Sequence, residues 1–183
     1  MKKLVCGMLC LGILFSVCGC GKKVVRIDGD DLTDAFEEYF DWEEGEDYRV
    51  LRDREVRGTN FEDAEDPYFY DVNLYIQGCE FNDDTPYAYV LYLEFEDEED
   101  AGEYFSHYYD AYSNLDDDRR CYRDGSYGYL LLNDDRDCFH GYIYADDMVI
   151  EYTSLDPDGI KIMKRMFAEL KLPAILFEAG HEC

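Results

Sequence analysis

The stretch RRCYRDGSYGYLLLNDDRDCFHGYIYADDMVIEYT, residues 119–153, decides the fold. It reads as four short strands, Arg119–Arg123, Ser126–Leu132, Cys138–Tyr144 and Met148–Thr153. They are rich in the aromatic and β-branched residues that fit a pleated, half-buried surface. Asp124-Gly125 between the first two is the two-residue hairpin signal, a turn that needs positive φ. Residues 133–136 and Asp146-Asp147 turn the chain twice more. Strands bunched together and joined by such tight turns predict an antiparallel meander.

Helical periods flank this meander. Leu32, Ala35, Phe36, Tyr39 and Phe40 share one helical face in a segment capped by Asp30 or Asp31 and running to about Trp42. An acidic turn surrounds Gly45. A strand with interleaved arginines is expected over Tyr48–Val56, then a loop over Gly58–Pro67 and strands over Tyr68–Ile76 and Tyr87–Phe95. Asp97 opens a second helix with Ala101, Tyr104, Phe105, Tyr108 and Tyr112 in a single stripe. The third starts at Asp156-Pro157, with proline where its missing donor costs nothing. It turns Ile160, Met163, Phe167 and Leu170 inward and stops before Pro173; Ala174–Phe177 reads as a short edge strand. The predicted class is α+β: an antiparallel β-meander sheet packed by about three amphipathic helices in one small domain.

Composition narrows the function. The 183 residues carry 17 Lys and Arg against 44 Asp and Glu, a formal charge of −27. Nucleic acid is excluded as a partner, since phosphates need a basic patch. Disorder is excluded too, because 16% of the chain is aromatic, with 18 Tyr, and disordered acidic chains are poor in aromatics.

The N-terminus supplies an address. Lys2 and Lys3 precede an uncharged apolar run, Leu4–Val17, shorter than the roughly 20 residues that span a bilayer. A charged start with a short apolar stretch is the pattern of an export signal. Val17-Cys18-Gly19 followed by Cys20 resembles a bacterial lipobox: an aliphatic residue, a variable one, a small one, then the lipid-bearing cysteine. The resemblance implies cleavage between Gly19 and Cys20, lipidation of Cys20, and a domain held to the extracytoplasmic face of the cell membrane. It divides the chain into residues 1–19, a removed signal peptide; 20–27, a lipid-bearing tether reaching at most ~25 Å; and 28–183, one acidic α+β domain. The run Phe95–Ala101, a strand entering an acidic helix start, is similar to many small lipoproteins of Gram-positive bacteria.

Candidate sites are sparse. Acids crowd residues 94–100, 116–118 and 134–137, but none has calcium-loop spacing, and solvated turns explain them. Cys138 and His140 would share one strand face; with His181 and Cys183 they make a possible but unfavoured zinc set, so no metal or cofactor is expected. Cys79, Cys121, Cys138 and Cys183 allow three disulfide pairings, which stay open. Gly125-Ser126-Tyr127-Gly128 is one glycine short of a nucleophile elbow and sits in a hairpin. With no role-bearing constellation, the chain reads as a binding module, not an enzyme, although a cleft holding a strongly perturbed His or carboxylate would revive a hydrolase. Its expected partners are the lipid bilayer, through Cys20, and a cationic peptide or protein drawn by the charge. The alternative is a sugar or cell-wall binder using exposed tyrosines, with Tyr127, Tyr129, Tyr142 and Tyr144 as the ligand-facing candidates. Lys161, Lys164, Arg165 and Lys171 could turn the last helix to anionic lipid, or merely complement its dipole. Mass spectrometry of the protein from its native cell should find the leader gone and Cys20 acylated; an intact leader or a free thiol there refutes the address.

Overall fold

The computed structural model describes residues 23–53, 55–56, 71–82, 85–113, 119–134, 138–155 and 157–177. Its elements are α1 (Gly29–Phe40), β1 (Tyr48–Arg52), β2 (Val72–Asn82), β3 (Thr85–Phe95), α2 (Glu98–Tyr112), β4 (Arg119–Asp124), β5 (Tyr127–Asp134), β6 (Cys138–Ala145), β7 (Met148–Ser154) and α3 (Pro157–Glu169), then a 3-10 turn, Ala174–Phe177. All seven strands join one sheet in the order β1-β2-β3-β7-β6-β5-β4, every pair antiparallel. The α+β expectation holds.

The turns close by the chemistry of their residues. Gly125 has φ +55° and Asp146 φ +54°, the left-handed values that two-residue hairpin loops require. The first loop is Gly125-Ser126, one residue later than Asp124-Gly125, because Asp124 still pairs with Tyr127. Asp97 caps α2: its Oδ1 accepts from the amides of Glu99 at 2.8 Å and Asp100 at 3.1 Å.

Helices cover both faces of the sheet. On one, α1, α3 and the 3-10 turn bury Leu32, Phe36, Met163 and Phe167 against Ile76, Val90, Tyr92, Ile150 and Tyr152. On the other, α2 buries Ala101, Tyr104 and Phe105 against Leu93, Phe95, Tyr144 and Val149. Aromatic rings pack close to the strands where the sheet omits a side chain. A Cβ on Gly78 would lie 2.3 Å from the Trp42 ring, and one on Gly141 would lie 2.5 Å from the Tyr152 ring. Each glycine is therefore a socket for an aromatic ring from elsewhere in the chain.

Several boundaries move. The first helix begins at Gly29 with Asp28 at its N-cap, so Asp30 and Asp31 lie in its first turn. β1 ends at Arg52, not Val56. β2 starts later than Tyr68 and runs on through Gly78, where Trp42 needs the space. Ala174–Phe177 is a 3-10 turn, not an edge strand, and it buries Ile175, Leu176 and Phe177 under α3. Part of the segment expected to be a tether, residues 20–27, is packed against the domain. Val24 and Ile27 are 1% and 6% exposed, and Arg26 pairs with Asp28, Glu94 and Asp147. Those contacts pin the N-terminal segment to the end of β3 and the β6–β7 turn. The loop expected over 58–67, the acids at 116–118, and Gly19, Cys20, His181 and Cys183 lie outside the described residues.

Gly78→Ala should destabilise the domain by about 1–3 kcal/mol, the usual range for overpacking. In Trp42→Leu the same change should cost less, because the clashing ring is gone; equal costs in chemical denaturation would disprove the socket.

Candidate functional site

Of the four tyrosines expected to face a ligand, Tyr129, Tyr142 and Tyr144 are core residues, 2–3% exposed. At these three positions the strands are covered on both faces, so alternation leaves no outer side there. Tyr142 stacks on Tyr108 at 4.5 Å and Tyr144 on Phe105 at 5.5 Å. Tyr127 is half-buried, its hydroxyl 3.2 Å from that of Tyr122 and its ring 6.0 Å from Lys23 Nζ. Of the four, Tyr127 alone keeps a partly exposed ring.

The described polar site lies on the α2 face, where the helix stops. Cross-strand pairing puts Cys79, Tyr89, Thr153 and His140 side by side in one row. The next row holds Arg49, Gln77, Leu91, Glu151 and Tyr142. Opposed side chains in such a ladder stand ~5 Å apart. The last turn of α2 reaches Tyr142 through Tyr108 and Tyr112. Past that row no described element covers the sheet, and β7, otherwise buried along its length, is half-buried at Glu151 and Thr153.

Two linked networks occupy this face. At the β1 side, Arg49 Nη2 donates to the Tyr75 hydroxyl at 3.0 Å and to Gln77 Oε1 at 2.9 Å, and the Tyr75 hydroxyl donates to the same Oε1 at 2.8 Å. An open groove of about 550 Å³ runs beside them, lined by Glu46, Asp47, Arg49, Gln77, Cys79 and Tyr89 among others. At the β6 side, His140 Nδ1 and Thr153 Oγ1 are hydrogen-bonded at 2.6 Å, and His140 Nε2 lies 3.8 Å from Glu151 Oε1. Burial pushes the Glu151 carboxyl up to about 7 and the His140 imidazole down to about 4. Around neutral pH the histidine is uncharged, while the carboxyl is poised between its two forms.

Thr153, His140 and Glu151 fall in the order hydroxyl, imidazole, carboxyl, which invites comparison with a hydrolytic triad. Their chemistry opposes that role. A triad needs an ionised carboxylate hydrogen-bonded to an imidazole that charges near neutral pH. Here 3.8 Å exceeds hydrogen-bond reach, and burial moves both groups the wrong way.

Cys121 is disulfide-bonded, whereas Cys79 is a free, half-buried thiol raised by burial. Among the described residues no three His, Cys, Asp or Glu side chains gather as a metal site, and no helix is long and apolar enough to cross a membrane. No family model and no curated protein matches the chain. It is similar to the extracellular domain of PknH from Mycobacterium tuberculosis at 8% identity over 79% of this chain and 92% of that one, with a TM-score of 0.37.

His140 was visible in the sequence as a possible zinc ligand. Glu151 was not singled out, although an acid inside the run Met148-Val149-Ile150-Glu151-Tyr152 was the available signal. Because folding raises its pKa, Glu151 favours the native state below about 4.5 and loses that contribution as pH rises to about 7. Glu151→Gln should therefore gain on the wild type by roughly 3 kcal/mol in total across that window, measured by chemical denaturation at each pH. A pH-independent difference would overturn the assignment.

Proposed function

We propose that the protein is a lipid-tethered extracytoplasmic module that binds a basic peptide or protein without transforming it. One observation carries the reading: among the described residues, the acids exposed on and after α1 outnumber the cations that meet them. Asp30, Asp31, Asp34, Glu37 and Glu38 are exposed on α1, Asp41 at its C-cap, and Glu43, Glu44, Glu46 and Asp47 in the turn after it. Asp31, Asp34, Glu38 and Glu169, with one cation, Lys171, line a cleft of about 270 Å³ between α1 and the end of α3.

The described basic side chains are largely engaged elsewhere. Arg26 holds three carboxylates, Lys161 pairs with Asp158 at 2.7 Å, and Arg52 pairs with Asp30 at 2.9 Å. Lys164 lies over Phe139 and Phe177, and Arg165 lies over Tyr39. Those engagements supply no support for turning α3 toward lipid. A field of one sign speeds encounter with positive partners and suppresses acidic ones.

The membrane address rests on the lipobox resemblance, and the burial of Val24 sharpens its consequence. With lipid on Cys20, three residues separate anchor from fold, a reach of roughly 12 Å. The end of the sheet that receives Val24 and Arg26 would then stand at the bilayer. The sugar-binding alternative loses support with the burial of Tyr129, Tyr142 and Tyr144.

The full-length chain in non-ionic detergent should bind a heptalysine peptide and not a heptaglutamate one. Raising salt from about 0.05 to about 0.5 M, which shrinks the Debye length from roughly 14 to 4 Å, should cost at least about tenfold in affinity. Salt-insensitive binding, or none, refutes ionic capture.

A further inference from the structure

Resting on that reading, we propose that the sheet face left open beyond α2 is the seat for a lysine or arginine side chain of an extended basic segment, whose cation meets Glu151 between Tyr89, His140 and Tyr142. The seat follows from three features of the face.

The first is a carboxyl group with no cationic partner among the described residues. Glu151 stands between Leu91 of β3 and Tyr142 of β6, its side chain 19% exposed. No described Lys or Arg pairs with it. Arg49 shares its cross-strand row but lies three strand spacings away, about 14 Å, turned to Tyr75 and Gln77. A carboxylate so placed stays protonated or takes a cation, because burying an unpaired charge costs several kcal/mol or more.

The second is what surrounds it. Tyr89 faces Glu151 from β3, His140 and Tyr142 face it from β6, and Tyr104, Tyr108 and Tyr112 approach from α2. Burial raises Tyr89, Tyr104 and Tyr142, so these phenols stay neutral, and His140 is uncharged above about 4. One ionisable carboxyl walled by aromatic rings suits an ammonium or guanidinium, which gains from both the charge and the ring faces. It does not suit a hard divalent ion, which needs several oxygens.

The third is the approach. The groove past Tyr89 leads by Arg49, which Tyr75 and Gln77 hold, to Glu46 and Asp47 at the β1 edge, so acid marks both ends of the path. An extended chain presents same-side residues every ~7 Å, which lets alternate basic residues reach both.

Cation binding would favour the ionised form of Glu151. Affinity for heptalysine should therefore rise about tenfold from pH 6 to pH 8, with proton release detectable by calorimetry in buffers of different ionisation enthalpy. Glu151→Gln should lose about tenfold at pH 8 and abolish both the pH dependence and the proton release. In the wild type, the Glu151 carboxyl followed by NMR should titrate at least one pH unit lower when heptalysine is saturating. This measurement holds even if the variant folds poorly. An unmoved Glu151 titration, or Glu151→Gln binding within twofold of wild type, overturns the seat. If affinity then falls only in Asp31→Asn/Asp34→Asn/Glu38→Gln, the seat is wrong and ionic capture stands. If the wild type does not bind heptalysine, both fall.

Discussion

The pairing of β3 with β7 holds the molecule together. β1, β2 and β3 form one antiparallel set, and β4, β5, β6 and β7 form another, each set built from neighbours in sequence. The ladder from Ala88–Ser154 to Glu94–Met148 joins them, across a separation of more than fifty residues. The loop-closure entropy of that contact is lost before any ladder bond forms. Burial repays it: Val90, Tyr92, Ile150 and Tyr152 lie under α1 and α3, while Leu93 and Val149 lie under α2. Without that seam neither half has a sheet wide enough to be covered on both faces.

Aromatic rings form part of the cover on both faces, and this sets where glycine must stand. Trp42 sits on Gly78 beside Phe36, and Tyr152 sits over Gly141 while its hydroxyl donates to the carbonyl of Leu176. Tyrosine serves as a core residue here because its hydroxyl finds a carbonyl or another phenol at the edge of each layer. The abundance of Tyr therefore reflects how the sheet is packed. It is a poor guide to what the surface binds.

The same packing creates the polar face. α2 ends at Tyr112, and its aromatic stripe covers the sheet only as far as Tyr142. The middle strand carries Glu151 beside Tyr142 in that last covered row, and one step beyond it carries Thr153 where its neighbours carry Tyr89 and His140. A covered sheet would have apolar residues at these positions. The half-open boundary gives the carboxyl and imidazole shifted affinities for protons, since each is partly out of water without being ion-paired.

The sequence by itself determined the class and nearly every element. Hairpin turns at Gly125 and Asp146, the Asp97 cap, and the stripe from Ala101 to Tyr112 are local features, fixed by residues a few positions apart. It also marked the net charge and the lipobox-like start. Tertiary structure alone decided which faces of the strands are buried, and so which tyrosines are core. It also placed β7 between β3 and β6, docked Val24 and Ile27 as part of the domain, and turned Ala174–Phe177 into a 3-10 turn. The physical reason is range. Turn and cap energies depend on neighbours in the chain, whereas the solvation of Tyr142 or Glu151 depends on a helix and strands that only folding brings alongside.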